Sequence, residues 1–347
     1  MIEIDGALGG GQLLRTAVGL SALRHEPVRI INIRKGKKEC KPGLRPQHLI
    51  GVKVVKDFCD ADVKGLEEGS LEVEFIPKEL NISDRSIDIG TAGNIGLLLQ
   101  TITPLLVFAN RPVILEIIGG TETRWAPAIQ YIQHVTYPML EKLGAKLELK
   151  IIKHGYYPKG RGRVIVKSKP VKKLRPFVCL ERGKIKSIHI DSVCGKLPSH
   201  VAERQGKAAL RTIQYYYPKT KVSMVYKAVD SVSPGSSVTC YAVCENSILG
   251  GDCLGERGLR AEIVGQRAAE ELVQSLKSNA CLDKYMADQI LLFLALAKGK
   301  SRVTVEKITN HVLTNIHVIE KILPVGFEVK QNEDKTGEIS VRGVGFG

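Results

Sequence analysis

The sequence contains no uncharged apolar run of about 18 residues, the length that a membrane-spanning helix requires. This absence argues against a protein that crosses a membrane or has a membrane as its partner. The first residues, MIEIDG, alternate as a strand does and lack the charged and apolar regions of a signal peptide. We therefore expect a cytoplasmic protein.

The sequence also lacks the two closely spaced cysteine pairs that are typical of a zinc site. Only Cys240 and Cys244, of eight cysteines, lie near each other in the chain. Buried free thiols in a reducing compartment are the simpler interpretation. A disulfide among Cys194, Cys240, Cys244 and Cys253 is the alternative.

Basic residues are in clear excess, with 51 lysines and arginines against 36 aspartates and glutamates. The resulting net charge of +15 favours a polyanionic partner, although a basic surface that serves only solubility is the alternative. The 347 residues suffice for two domains, and an apolar content of 44% provides a sizeable core.

One pattern recurs along the chain. Residues 4–23 and 87–106 both read Ile-Asp, a glycine-rich turn and an apolar helix, and residues 282–299 form a weaker copy without the glycines. A strand, a loop, a helix and two further strands are predicted after each copy. The fold prediction is therefore α/β (α+β), with three repeated α-β-α-β-β units whose helices cover one face of each small sheet.

Residues 181–277 interrupt this repetition. They predict a first strand, a helix over 199–215, strands near 221–229, 237–243 and 246–251, and a closing helix. We predict a three-repeat domain made of residues 1–180 and 278–347, with residues 181–277 as an inserted α/β domain.

Packing of the three units around a pseudo-threefold axis would gather their equivalent loops at one end. These loops carry Arg34, Lys37, Lys38, Lys41, Arg45, Gln47, Thr121, Arg124, Pro127, Asn310, His311 and Thr314. His311 lies just before a predicted helix with Thr314 or Asn315 as its N-cap. A helix N-terminus attracts phosphate and keeps imidazole neutral, so His311 is a candidate nucleophile. A loop histidine bonded to a backbone carbonyl is the alternative.

Three shorter motifs are weaker signals. HGYYPKGRG (154–162) is a candidate phosphate cradle or simply a glycine-rich hairpin. GGGQLLR (9–15) opens a helix and brings Arg15 within reach of an anion, but it lacks the Lys-Ser/Thr of a P-loop. YMADQ (285–289) offers an aromatic ring for a base and polar groups for a ribose or an amine, or is a capped helix start.

Together these segments resemble the RNA 3′-terminal phosphate cyclase family. The resemblance extends from IDGALGGGQLLR to the strands after His311, and its blocks occur in the family's order. They are IRKGKKECKPGLRPQHL, GTAGNIGLLLQ, GGTETRWAP, HGYYPKGRGRV, HVAER, YMADQ and HVLTNIHVIE. The resemblance implies three repeats, each like the C-terminal domain of a bacterial translation initiation factor, plus one inserted domain.

The resemblance also implies an activity. Family enzymes use ATP to adenylylate a histidine, pass AMP to an RNA 3′-phosphate and close a 2′,3′-cyclic phosphate. His311 matches the nucleophile. The positions that match the ATP site are Gln100, Pro127, Tyr285, Met286, Ala287, Asp288 and Gln289. The positions that match the phosphate or RNA site are Arg15, Arg34, Lys37 and Gln47. The implied partners are ATP, Mg²⁺ or Mn²⁺, and RNA with a 3′-terminal phosphate.

The sequence departs from the family pattern in two places. Leu8-Gly9-Gly10-Gly11-Gln12 is two residues short and lacks the family's metal-binding glutamate, so the metal ligands are unknown and Asp5 or water would have to substitute. Lys37 replaces a common arginine, which keeps the charge but loses bidentate geometry, and the loop through Lys38–Lys41 is lengthened.

Two other functions compete with the cyclase prediction. A catalytically weak or silent cyclase-like scaffold in ribosome assembly is favoured by the missing glutamate and opposed by His311. An enolpyruvyl transferase, a distantly similar repeat fold, is opposed by the charge and by the insert. The sequence leaves the oligomeric state open. Within HGYYPKGRG we expect Lys159 and Arg161 to meet RNA phosphates and His154 not to be the nucleophile.

Overall fold

The computed structural model describes residues 1–36, 41–90 and 92–347. It contains four small four-stranded sheets. The first has β1 (Ile2–Asp5), β2 (Val28–Ile31), β3 (Asp62–Lys64) and β4 (Val73–Ile76). The second has β5 (Arg85–Asp88), β6 (Val113–Gly119), β7 (Lys146–Lys153) and β8 (Gly162–Lys169). The third has β9 (Val178–Cys179), β14 (Lys298–Val305), β15 (Phe327–Gln331) and β16 (Gly337–Val344).

These three sheets share one strand order and one pattern of directions. The orders are β1-β2-β4-β3, β5-β6-β8-β7 and β9-β14-β16-β15. In each sheet the first two strands are parallel and the other neighbours are antiparallel. The α-β-α-β-β pattern predicted from sequence therefore lacks one strand, because β1, β5 and β9 precede the first helix of each set. Strand β1 lies in the alternating segment MIEIDG but was not counted in the repeat, and β9, at two residues, is too short to show alternation.

Six helical segments accompany these sheets. They are α1 (Gly11–Arg24), α2 (Pro46–Cys59), α3 (Ile95–Val107), the run from α4 (Ile129–Tyr131) through a π-helical turn (Ile132–Thr136) to α5 (Tyr137–Lys142), α8 (Met286–Leu296) and α9 (Asn310–Ile322). Helix α1 contacts α2, α3 and α9, and α8 contacts α3 and α9. Their apolar faces form one continuous core with all three sheets, so the first turns of these helices are held close together.

The fourth sheet belongs to the stretch that interrupts the pattern, called here the insert (residues 181–277). Its strands are β10 (Ile185–Gly195), β11 (Val222–Val229), β12 (Gly235–Cys244) and β13 (Ile248–Leu254), in the order β11-β10-β12-β13. Helices α6 (His200–Tyr216) and α7 (Ala261–Lys277) pack on this sheet around a second, smaller apolar core. Strands β12 and β13 contact α4, which fixes the insert beside the second sheet.

The insert leaves and rejoins the third sheet along the same edge. Strand β9 pairs with β14 through Cys179 and Val303. Beyond the insert, Leu282 forms a parallel bridge to Val305 of β14. The Cys281 thiol donates to the Cys179 carbonyl at 2.7 Å. The two ends of the insert are thus adjacent.

The seven described cysteines are free thiols, and Cys194, Cys240 and Cys244 are buried, so the disulfide alternative does not occur here. Cys40 lies outside the described residues. No helix in the described part of the chain is long and apolar enough to cross a membrane.

Candidate active site

A cleft of about 950 Å³ opens where the first turns of α1, α8 and α9 meet the segment before α4. The predicted site residues that line it are Arg15, Gln100, Pro127, Tyr285, Asp288, Gln289 and His311. The insert supplies the opposite wall, which includes Asp252, Glu256, Arg267, Glu270 and Glu271. The fold therefore brings residues from all three sheets' helices to one site.

His311 lies within helix α9 and not in the loop before it, which corrects the prediction from sequence. Helix α9 begins at Asn310, and its N-cap is Thr309, whose hydroxyl accepts from the Val312 amide at 3.2 Å. Asn315, one of the two predicted caps, is buried inside the helix. His311 still lies in the first turn, where unpaired backbone N–H groups and the helix dipole favour an anion.

A hydrogen-bonded chain orients the His311 ring. His311 Nδ1 bonds to Gln12 Oε1, and the Gln12 amide donates to the Asp288 carboxylate. Because an amide oxygen only accepts, the contact with Gln12 Oε1 means that Nδ1 carries the proton. The lone pair then belongs to Nε2, as a nucleophilic imidazole requires. Gln12 was quoted in a sequence block but not predicted as a site residue.

Asp288 and Gln289 are fixed by neighbouring helices. Burial raises the pKa of Asp288 to about 7, while the Gln12 hydrogen bond and the Arg15 charge oppose that rise. The buried Asn315 amide donates to the Asp288 carbonyl at 3.0 Å and accepts from Thr16 at 2.9 Å. Gln289 accepts from Thr136 at 3.2 Å. Helix α8 is therefore held in register with α1, α9 and the π-helical turn.

Tyr285 is positioned by two carboxylates that sequence reasoning did not identify. Asp283 is fully buried and accepts from the Tyr285 amide (3.0 Å), the Tyr131 hydroxyl (2.6 Å) and the Gly250 amide (2.9 Å). Glu271 of the insert accepts from the Tyr285 hydroxyl at 2.8 Å. Burial, with the neighbouring Glu271 charge, raises the pKa of Tyr285, so its hydroxyl stays protonated. The only signal in the sequence was an aspartate two residues before the tyrosine.

A cationic cluster surrounds His48. Of its arginines, Arg15 lines the cleft, and Arg34 and Arg45 do not. Burial is the main cause that lowers the pKa of Arg15, to about 10, and Asp288 partly offsets it. Burial lowers the pKa of His48 to about 3, with the charges of Arg15, Arg34 and Arg45 adding to the effect. His48 is therefore neutral, and the cluster's charge comes from arginines.

Two nitrogens of this cluster lack a hydrogen-bond partner among the described residues. Arg15 Nε and Arg34 Nη1 are both buried and unpaired. Buried guanidinium groups normally have partners, so these nitrogens suit an anionic ligand. Gly11 permits the arrangement, since a Cβ there would come within 2.3 Å of His48 Nε2.

Some predicted residues lie elsewhere. Met286 and Ala287 are fully buried in the core and do not line the cleft. The Gln47 side chain makes two hydrogen bonds to the backbone of Asn94. Its Nε2 donates to the Asn94 carbonyl at 3.2 Å, and its Oε1 accepts from the Asn94 N–H at 2.6 Å. Gln47 thus joins α2 to the start of α3. Lys37, with Lys38 of the same loop, lies outside the described residues.

No residue of the 154–162 loop lines the cleft. His154 is buried, 3.1 Å from Glu122. Arg161 pairs with Asp88 at 2.7 Å, and the Lys159 amide bonds to Ser233 of the insert. The loop therefore joins the second sheet to the insert. The predicted contacts of Lys159 and Arg161 with RNA remain predictions.

The described residues do not form a metal cage, since no group of three or more His, Cys, Asp or Glu side chains among them is arranged to hold an ion. Asp5, the suggested substitute for the missing glutamate, accepts from the Ala7 amide (3.0 Å) and Asn32 (3.2 Å) and caps the 3₁₀ turn at Gly6–Leu8. Asp5 is therefore engaged in local structure, and no side-chain cage for a divalent metal is found among the described residues.

The sheets and the cleft define an α/β protein whose cleft holds Arg15 and a histidine bonded to Gln12. A family model described as RNA 3′-terminal phosphate cyclase matches residues 7–329. The chain therefore belongs to the RNA 3′-terminal phosphate cyclase family.

Curated proteins with that same description align along nearly the full chain. The protein from Pyrobaculum aerophilum is 44% identical over 348 residues, with 99% of each chain covered. The protein from Methanopyrus kandleri is 43% identical over 349 residues, again with 99% of each covered. The protein from Pyrococcus furiosus is 43% identical over 343 residues, with 98% of each covered.

Proposed function

We propose that this chain is an ATP-dependent RNA 3′-terminal phosphate cyclase, a ligase that converts an RNA 3′-phosphate to a 2′,3′-cyclic phosphodiester. Membership in the family supports the reaction class. One structural observation carries the mechanism: His311 is oriented by Gln12 in a cleft that also holds Arg15, Tyr285 and Asp288.

The first step is adenylylation of His311. The Nε2 lone pair attacks the α-phosphorus of ATP, the bond to the β-phosphate oxygen breaks, and pyrophosphate leaves. Gln12 accepts from Nδ1 and so stabilises the positive charge that develops on the ring. Tyr285 and Pro127 line the cleft where they can contact the adenine. Arg15 lines the cleft and has an unpaired Nε, so it suits phosphate oxygens.

Two transfers complete the reaction. An oxygen of the RNA 3′-phosphate attacks the AMP phosphorus, which breaks the P–N bond and frees His311. The ribose 2′-hydroxyl then attacks the 3′-phosphorus, losing its proton and expelling AMP as the ring closes. ATP supplies a leaving group that the bare phosphate monoester lacks.

The metal requirement is part of the same proposal. Mg²⁺ often binds through substrate phosphates with few protein ligands, so Mg²⁺ or Mn²⁺ can arrive with ATP despite the missing glutamate. No step above depends on it.

The architecture supports a finer domain assignment. We propose that residues 1–180 and 278–347 form one domain of three repeats, each similar to the C-terminal domain of a bacterial translation initiation factor. Residues 181–277 are the inserted domain. The shared strand order of three sheets and the separate core of the insert support this division. A cytoplasmic location remains part of the proposal.

The decisive experiment is incubation with α-³²P-ATP and Mg²⁺ or Mn²⁺. We expect a protein–AMP adduct that is acid-labile and alkali-stable, as a phosphoramidate is, and that His311→Ala abolishes. His317→Ala is the matched control, since His317 lies on the same helix but does not line the cleft. RNA that ends in a 3′-phosphate, but not RNA that ends in a 3′-hydroxyl, should become resistant to phosphatase.

Absence of an adduct with either metal would refute the enzymatic mechanism and leave the scaffold alternative. Adduct formation without conversion of 3′-phosphate RNA would refute only the substrate assignment.

A further inference from the structure

Trp125, the only tryptophan in the chain, lies at the rim of the cleft with 94% of its surface exposed. An indole ring placed in water forgoes a large gain from burial. Tyr285 in the same cleft is instead partly buried and bonded to Glu271. The two aromatic rings therefore occupy different environments, one inside the cleft and one at its mouth.

The backbone at Trp125 is also unusual. Its φ of 61° places a bulky aromatic residue in the left-handed region, where such residues are rare. The following Ala126 and Pro127 line the same cleft. Strained conformations of this kind concentrate at binding sites.

The insert wall near Trp125 carries charges of both signs. Neighbouring Arg124 pairs with Glu256 of the insert at 2.9 Å, and Arg267 and Glu270 also line this wall. Its carboxylates can accept hydrogen bonds from the amino group of a base. The cleft's volume of about 950 Å³ is near the upper end of the roughly 300–1,000 Å³ usual for small-ligand pockets, which leaves room beyond ATP.

We propose that Trp125 stacks on a nucleobase at the 3′ end of the RNA, at a subsite next to the Tyr285–Pro127 surface. This inference rests on the proposed function, because it assigns the RNA substrate to one side of the same cleft. A π-face is common to all four bases, so this contact binds RNA without reading its sequence.

The single tryptophan makes the test direct, because the protein's intrinsic indole fluorescence reports on Trp125 alone. The probe is a short RNA with a 3′-phosphate, titrated without ATP. We expect strong quenching by this RNA, and much weaker quenching by the same RNA with its last two nucleotides abasic. Equal quenching by both RNAs, or quenching by ATP but not by RNA, would overturn the proposal.

Two substitutions complete the test. Trp125→Phe keeps an aromatic ring, and Trp125→Asn removes it while tolerating the positive φ. We expect Trp125→Asn to weaken RNA binding roughly 5- to 100-fold, the effect of losing one stack, and to lose the preference for intact over abasic RNA. Trp125→Phe should retain that preference. In Trp125→Asn, the fold-decrease in affinity for RNA should be at least about five times any fold-decrease in affinity for ATP.

The inference fails by itself if wild type cyclises RNA and Trp125→Asn keeps the wild-type KM for RNA and the preference for intact RNA. Both the inference and the proposed function fail if the wild-type chain neither adenylylates nor binds 3′-phosphate RNA.

Discussion

The properties of His311 depend on side chains that are distant in the sequence. Gln12 comes from α1 and Asp288 from α8, and they reach a ring on α9. An imidazole without such partners samples both tautomers, and only the tautomer with a proton on Nδ1 offers Nε2 as a nucleophile. The orientation of the ring is therefore a property of three helices together.

Gln12→Ala should slow adenylylation of His311 by roughly 10- to 100-fold, the usual loss when a group that orients a functional histidine is removed. The physical reason is that Nδ1 loses its acceptor and the ring shifts toward the other tautomer. Single-turnover kinetics with labelled ATP measure the rate, and ¹⁵N NMR of the imidazole reports the tautomer. Gln214→Ala, on an exposed face of α6 away from the cleft, is the control. An unchanged tautomer and rate in Gln12→Ala would refute this role.

Individual site residues could be predicted from sequence where they lie in a motif. Residues that only folding brings to the site could not be predicted. His311, Arg15, Tyr285 and Asp288 lie in recognisable blocks, and the structure places all four on the cleft. Glu271 could not be predicted, because its contact with Tyr285 joins the insert to α8. Met286 and Ala287 share a block with Tyr285, but the helix turns their side chains into the core.

At the scale of elements, the first turn of α9 determines the position of His311. Apolar periodicity predicts the body of this helix well, since Val312, Ile316 and Ile319 face the core. Its start was wrong by five residues, because Thr314 and Asn315 are both good caps by composition and Thr309 lies outside the apolar pattern. Strand β9 also has no clear pattern in the sequence, because it is only two residues long.

Thr309→Ala should lower the free energy of unfolding by about 1 kcal/mol, because the Val312 amide loses its acceptor. The first turn, which carries His311, should fray, so adenylylation should slow as well. Urea unfolding and the adduct assay measure the two effects. Thr309→Ser keeps the hydroxyl and should behave like wild type. A stable, fully active Thr309→Ala protein would show that the cap is dispensable.

At the scale of the whole molecule, the insert supplies one wall of the cleft, while His311 lies on α9 outside the insert. Asp252 of β13 accepts from the Ala128 amide at 3.4 Å, and its own amide bonds to Glu271 at 3.4 Å. Burial, with the Glu271 charge, raises the pKa of Asp252 to about 7. The predicted boundaries at 180/181 and 277/278 remain predictions, and Tyr241 and Ile248 of the insert pack against the larger core. These cross-contacts had no signal in the sequence.

Asp252→Asn should become more stable relative to wild type as the pH rises. Between pH 4 and pH 7 the unfolded chain releases the Asp252 proton and the folded chain keeps it, so wild type loses stability across this window. Asp252 is partly exposed, which reduces the expected effect. The difference in free energy of unfolding between Asp252→Asn and wild type should change by about 2 kcal/mol between pH 4.5 and pH 7.5, measured by urea unfolding. Asp57→Asn, exposed on α2, should leave the wild-type profile unaltered. A pH-independent difference for Asp252→Asn would contradict this assignment.

Cys179 and Cys281, one on each side of the insert, are adjacent along the same edge of β14. The insert is therefore an excursion from one position at this sheet edge. A short linker could bridge these positions, and closing so small a gap costs little chain entropy. Excision would thus preserve the path of the third sheet. It would also remove Glu271 and Gly250, which hold Tyr285 and Asp283. The shortened chain would keep the pairing of the third sheet and lose the contacts that hold Tyr285 and Asp283, so one deletion would test the sheet and the cleft separately.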